Sequence, residues 1–265
     1  MSMHERLATV AFRGPDAAKF LQGQLSADIE GLAVGAHSLT GLHNPQGRAI
    51  ALPAISRTAA DEFIARLPRE LADTVIARLK KYVLRAKVRI EPGDDTPAAD
   101  ALAAVRAGIP EVYTATSEAF VAQMLNLDLL GAIAFDKGCY TGQEVIARAH
   151  YRGRVKRRMQ RWLNSGATPL APGDTARGPD GRSLSVVRVA PVDGGQEILA
   201  VGNYLPAESE PAEADSSLVQ VSGPLPSEER RSSCVKDLIL SVNSESSSTR
   251  GAPSESSPVL RLKWL

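Results

Sequence analysis

Residues 6–13 (Arg-Leu-Ala-Thr-Val-Ala-Phe-Arg) read as a strand, punctuated by Gly14-Pro-Asp. Asp16 then stands as the N-cap of a short helix from Ala17 to Leu25, with Phe20, Leu21 and Leu25 on one face. Residues 36–43 and 48–56 read as two strands around the turn Asn44-Pro-Gln-Gly47, in which Pro presets φ and Gly tolerates positive φ, so a hairpin is expected. Pro68 opens a helix at its first turn. Leu71, Val75, Ile76 and Leu79 recur there at helical spacing, opposite Arg69, Glu70, Asp73, Arg78 and Lys80. Residues 82–90 alternate and predict a strand, 91–97 a loop, 98–107 an Ala-rich helix stopped by Gly108 and Pro110, and 117–130 a further helix. This mixture of strands and helices over residues 1–152 predicts an α+β fold.

After Arg152 the texture changes. Segments 155–163, 184–191 and 197–204 read as strands separated by turn-rich pieces, so residues 153–205 predict a small all-β unit, a sheet or barrel. Residues 206–257 hold 15 Ser and 7 Glu and too little apolar surface to offset their ordering entropy, and they predict a disordered linker. Within that tract the apolar run Val235 to Val242 could be an added strand or only a sticky segment. The final Val259 to Leu265 is apolar enough to dock, which would let 258–265 complete the β unit.

Composition narrows the function classes. A chain of 265 residues, 43% hydrophobic, has ample material for a core, and a net charge of +1 sets up no global field toward nucleic acid or membrane. No window approaches the ~18 apolar residues of a membrane helix, and the start carries no apolar secretory segment. The two cysteines, Cys139 and Cys234, lie in dissimilar contexts, so no structural disulfide is expected and a cytoplasmic location fits best. No permanently bound metal is expected. Two cysteines exclude a four-cysteine zinc site, and the four histidines show no ligand spacing.

The candidate chemistry centres on Lys137-Gly-Cys-Tyr-Thr-Gly-Gln-Glu144. Gly138 permits a tight turn before Cys139, and Thr141 with Glu144 has the form of a capping box, so a helix should begin just after the cysteine. Unpaired N–H groups at a helix N-terminus favour a thiolate, and Lys137 would add to that field, as would Arg148 if the fold brings it near. A lone cysteine is equally a small buried hydrophobe. Downstream, seven of the 14 residues from Arg148 to Arg161 are Lys or Arg, with His150 and Tyr151 among them. That stretch fits a phosphate, polyglutamate or RNA partner, or else a solvated strand face whose charges are balanced elsewhere.

Phe135-Asp-Lys-Gly-Cys-Tyr-Thr-Gly-Gln-Glu-Val-Ile-Ala-Arg148 followed by Tyr151-Arg-Gly-Arg-Val-Lys-Arg157 resembles the signature of the YgfZ family, whose members are related to the glycine-cleavage aminomethyltransferase. Gly14 to Leu25, Asn44 to Arg48, Leu84 to Val88, Ala107 to Pro110 and Gln123 to Asp128 agree with it. The resemblance implies a tetrahydrofolate-binding, aminomethyltransferase-like α+β domain followed by a small β-barrel. It implies that Cys139 is the required functional thiol, with Lys137, Gly138, Tyr140, Gly142, Gln143, Glu144 and Arg148 as its motif. The implied role is that of an accessory factor for assembly or repair of iron–sulfur enzymes, including tRNA-modifying ones, with iron–sulfur client or assembly proteins as partners. Transfer of an aminomethyl one-carbon unit to tetrahydrofolate, and RNA binding by residues 148–161 as a module, are the competing functions. The basic stretch could also hold tRNA or a polyglutamyl folate.

Three departures stand out. Only 18 residues separate Val88 from Ala107, where the family carries a further strand–helix block, so the first domain is expected to be shortened around 91–105. Arg106 stands where related folate enzymes place a pterin-binding Glu, and a guanidinium cannot accept hydrogen bonds from a pterin amino group. The Ser-rich tract 206–257 is foreign to the pattern.

Overall fold

The computed structural model describes residues 6–97, 100–153, 155–178, 181–203 and 218–220. Two five-stranded antiparallel sheets organise it. The first has the order β2-β5-β6-β1-β7, built from β1 (Arg6–Arg13), β2 (His37–Leu39), β5 (Ala54–Ala59), β6 (Glu62–Pro68) and β7 (Arg89–Pro97). The expected hairpin around Asn44–Gly47 forms, but each arm divides. Its inner halves pair as β3 (Leu42–His43) and β4 (Ala49–Ala51), while its outer halves β2 and β5 join the large sheet. Strand β6 lies where the residue pattern predicts no element, yet it is central and pairs with both β1 and β5.

Helices α1 (Ala17–Gln24) and α2 (Arg69–Lys80) supply the apolar stripes that cover this sheet. Leu21 of α1 and Val75 and Leu79 of α2 face Val10, Phe12, Ala65 and Leu67 across the same small apolar gap. Full burial of each such side chain contributes roughly 1.5–3 kcal/mol, so packing holds the helices more than propensity does. Pro68 ends β6 and occupies the N-cap of α2 rather than its first turn.

Three expected elements are corrected. Residues 82–90 are not one strand: the chain crosses in turns from α2 to Arg89, with Tyr82 and Leu84 exposed, and pairing with β1 begins only there. Residues 91–97 are not a loop but most of β7, an edge strand, where Pro92 and Pro97 need not donate to a further neighbour. Residues 117–130 form no α-helix. Glu118 N–H and Phe120 C=O bond to the backbone of Ala49, and only Ala122–Leu125 makes a 3-10 turn, ended by Asn126 in the left-handed conformation (φ 58°). Asp16, although at the N-cap of α1, makes no cap hydrogen bond. Its carboxylate instead accepts from Lys87 N–H (2.7 Å), anchoring the crossover. The expected helix over 98–107 is present as α3 (Ala101–Arg106), capped by Asp100.

The second sheet has the order β12-β8-β11-β10-β9, from β8 (Arg157–Asn164), β9 (Thr175–Arg177), β10 (Ser183–Val192), β11 (Gly195–Asn203) and β12 (Leu218–Gln220). A bulge between Val186 and Arg188 bends β10. One face presents Met159, Val187, Leu199 and Val201 to the main core. The other gathers Trp162, Leu184, Val186, Ile198 and Ala200 into a core of its own. No pairing joins the edge strands β12 and β9 among the described residues, so the described unit is a curled, half-barrel sheet. Strand β12 falls inside the tract 206–257 expected to be a disordered linker; the rest of that tract, with Cys234 and the run Val235 to Val242, and the C-terminal 258–265 lie outside the described residues. Among the described residues no helix is long and apolar enough to cross a membrane.

Candidate functional site

Helix α4 (Gln143–Tyr151) follows the motif cysteine, as expected, but it is capped differently. The N-cap is Gly142, with φ 85° and no side-chain cap bond, so the Thr141–Glu144 capping box does not form. The reason is packing: a Cβ at Gly142 would lie 2.5 Å from the carbonyl oxygen of Asn44 and 3.1 Å from Gly47 Cα. The start of α4 is pressed against the Asn44–Gly47 turn, and only glycine permits both the close approach and the left-handed backbone. Gly138, by contrast, has neither a positive φ nor a close neighbour demanding glycine.

Cys139 is exposed, three residues ahead of that cap, on a loop anchored at both ends. Lys137 is the first anchor. Its Nζ donates to the carbonyl oxygens of Gln22 (2.8 Å) and Leu25 (2.6 Å), at the C-terminal end of α1, and of Ala27 (2.8 Å) just beyond it. The ammonium also lies 5.0 Å from the centroid of the Tyr140 ring. Burial pulls the Lys137 pKa down to about 8, against the opposing pull of Asp28 and Glu30. Lys137 thus has a structural role as a helix C-cap delivered from 110 or more residues away in sequence. Tyr140 is buried, with its phenol pushed up to about 12 by desolvation, and Gln143 Nε2 donates to Lys137 C=O (3.3 Å), closing the loop on itself.

The receiving segment is equally held. Ser26 Oγ donates to Ala132 C=O (2.7 Å), and Gln22 Oε1 accepts from Ile29 N–H (2.7 Å). At the far end of α4, His150 stacks on Phe135 with ring centroids 3.8 Å apart, and Tyr151 packs edge-on against both rings. Glu144 and Arg148 are exposed on α4, and Arg148 has no ion-pair partner among the described residues.

The basic stretch divides. Arg158 forms a two-pronged ion pair with Asp128 (2.9 and 3.0 Å), Arg157 donates to Ser185 Oγ and Val201 C=O, and Arg161 lies 3.8 Å from Glu197. These three cations fasten β8 into the fold. Arg152 and Lys156 are exposed, and Arg154 lies outside the described residues. Among the described residues of 148–161 the cations thus divide between exposed positions and positions bound into the fold.

Arg106 is equally occupied. At the end of α3 its guanidinium meets Glu197 of β11 through two hydrogen bonds (2.7 and 2.9 Å), tying the first unit to the second sheet. The residue pattern marks neither Phe135 with His150 nor the Gln22–Ala27 acceptors as site residues. The signal for the latter was the Gly14–Leu25 segment of the family pattern, which gives no role to its backbone carbonyls.

Among solved structures, that of glycine cleavage system aminomethyltransferase T from Bartonella henselae matches with a TM-score of 0.51 over 74% of this chain and 76% of that one. At 14% identity the likeness establishes the fold, that of an aminomethyltransferase T-protein. No protein-family model matches the chain. Among curated proteins it is 30% identical to tRNA-modifying protein YgfZ of Edwardsiella ictaluri, over 80% of this chain and 88% of the relative. It is 29% identical to the protein of that name from Klebsiella pneumoniae, over 74% of this chain and 81% of the relative. The chain belongs to the YgfZ family. The Edwardsiella alignment runs over 295 positions, longer than this 265-residue chain, so it is interrupted on this chain's side.

Proposed function

We propose that this protein is a cytoplasmic accessory factor that supports the assembly or repair of iron–sulfur enzymes, including tRNA-modifying ones, through the thiol of Cys139. The observation that carries this reading is the exposed Cys139 on a loop clamped by Lys137 and Gly142. A buried structural cysteine needs no such mounting. Family membership and relatives named as tRNA-modifying proteins support the setting. Among the described residues no three His, Cys, Asp or Glu side chains converge as a metal group, and clusters ordinarily take four protein ligands. Cys139 therefore acts on a client as a single transient ligand or exchanging thiol, with iron–sulfur client or assembly proteins as its partners.

Tetrahydrofolate is the ligand that the resemblance assigns to the first domain. Position 106 does not fit it: the pterin-reading carboxylate is replaced by a guanidinium already bound to Glu197. The gapped alignment fits a chain that lacks some of its relative's residues. Folate binding is a separate arm of the test. The curled second sheet, with its inner core around Trp162, supports reading residues 153–205 as the body of the small barrel.

The test is a tetrahydrofolate titration on the wild type and Cys139→Ala, beside iron–sulfur enzyme assays in cells lacking the gene. Normal iron–sulfur activities without the gene would overturn the accessory role. Folate-dependent turnover of an aminomethyl donor would favour the transferase instead.

A further inference from the structure

The exposed face of α4 carries features that the thiol reading does not use. Arg148 and Tyr151 lie at positions i and i+3 and share one stripe of the helix, and Arg152 follows directly as its C-cap. Tyr151 is 68% exposed, yet its ring is held by edge contacts to Phe135 (centroids 6.0 Å, 70°) and to His150 (4.8 Å, 84°). Phe135 and His150 are themselves stacked at 3.8 Å. An aromatic ring that is oriented but uncovered is a preformed stacking platform. Arg148 and Arg152 flank it, and Lys156 follows just beyond. All three are exposed and lack an ion-pair partner among the described residues. The acids nearby are Glu144, one turn earlier on the same stripe, and Asp136 beside Phe135. Among the described residues of the stretch, Arg157, Arg158 and Arg161 are turned into the fold, which leaves the exposed charge of Arg148, Arg152 and Lys156 around this aromatic patch.

We propose that this patch binds single-stranded RNA, with an unpaired base stacked on Tyr151 and the adjacent phosphates held by Arg148 and Arg152. The pairing of a ring with flanking cations selects this occupant. An acidic peptide would use the cations and leave the ring idle, whereas a duplex presents no free base face. Phe135 begins the same loop that carries Cys139, so the bound RNA would sit at the root of the thiol loop. The proposal is independent of the thiol reading.

The experiment uses the full chain and a short fluorescein-labelled single-stranded oligoribonucleotide of mixed sequence, titrated at increasing salt, beside the same sequence as a duplex and a polyglutamate peptide. The single strand should bind best. Tyr151→Ala should weaken it by roughly 5- to 150-fold, and Tyr151→Phe should retain binding, as expected for loss of one base stack. Replacing Arg148 and Arg152 together by Ala should lower the slope of log affinity against log salt by about 1.4, at ~0.7 per phosphate contact. Cys139→Ala should bind RNA as the wild type does, which separates this proposal from the thiol function. Absence of binding at low salt, Tyr151→Ala within about twofold of wild type, or equal affinity for duplex or polyglutamate would each overturn it. Tyr151 is exposed, so circular dichroism should show its variants folded.

Discussion

Lys137 Nζ sits 2.6 Å from the carbonyl oxygen of Leu25, and this contact joins the thiol loop to the end of α1. With Gln22 and Ala27 as further acceptors, one side chain satisfies three carbonyls at and just beyond the end of that helix. Lys137→Met should therefore leave buried acceptors unpaired and cost about 2 kcal/mol of stability. Urea unfolding measures that cost. The same variant should also lose the cellular function of Cys139, because the loop loses its anchor while the thiol remains.

Gly142→Ala tests the other anchor. The added methyl would meet Asn44 C=O at 2.5 Å in a backbone conformation with φ 85°. Strain of this kind costs about 1–3 kcal/mol. Thermal unfolding should show the loss, whereas Gly138→Ala, with open space and no positive φ, should be close to neutral.

Much of the scaffold behind these anchors can be read from sequence, and the exceptions share a cause. Helix α2 and strands β1, β10 and β11 follow their apolar periodicity closely. Residues 91–97 do not, because a Pro- and Gly-containing segment becomes a strand only by occupying a sheet edge, and edge position is set by tertiary pairing. Asp16 and Thr141 have the right chemistry for caps, but one serves Lys87 N–H and the other is displaced by the close approach of Gly142. Cys139 itself is legible from its motif. The partners of Lys137 are not, since backbone carbonyls leave no residue-specific trace in a sequence.

His43 should make the fold acid-sensitive. It is fully buried on β3, and desolvation pulls its pKa from 6.5 to about 4, outweighing the opposing effect of the Gly41 backbone. Above about pH 6.5 the imidazole is neutral in both states. As pH falls from there to about 4, the unfolded chain takes up the proton first, so stability is lost, by about 3 kcal/mol at the lower end. Denaturant unfolding across this range should show the loss, and His43→Leu should flatten that part of the profile.

Arg106→Glu restores the residue type that related folate enzymes carry, but it places a carboxylate against Glu197. The unfolding midpoint should fall, and tetrahydrofolate affinity should not appear. Calorimetric titration of this variant with tetrahydrofolate checks the ligand, and its thermal unfolding checks the junction.

The most direct measurement is complementation. In cells lacking the gene, iron–sulfur enzyme activity should be restored by the wild-type chain and not by Cys139→Ala, although the variant, altered at an exposed side chain, should unfold at the same midpoint. Full restoration by Cys139→Ala would contradict the thiol's role.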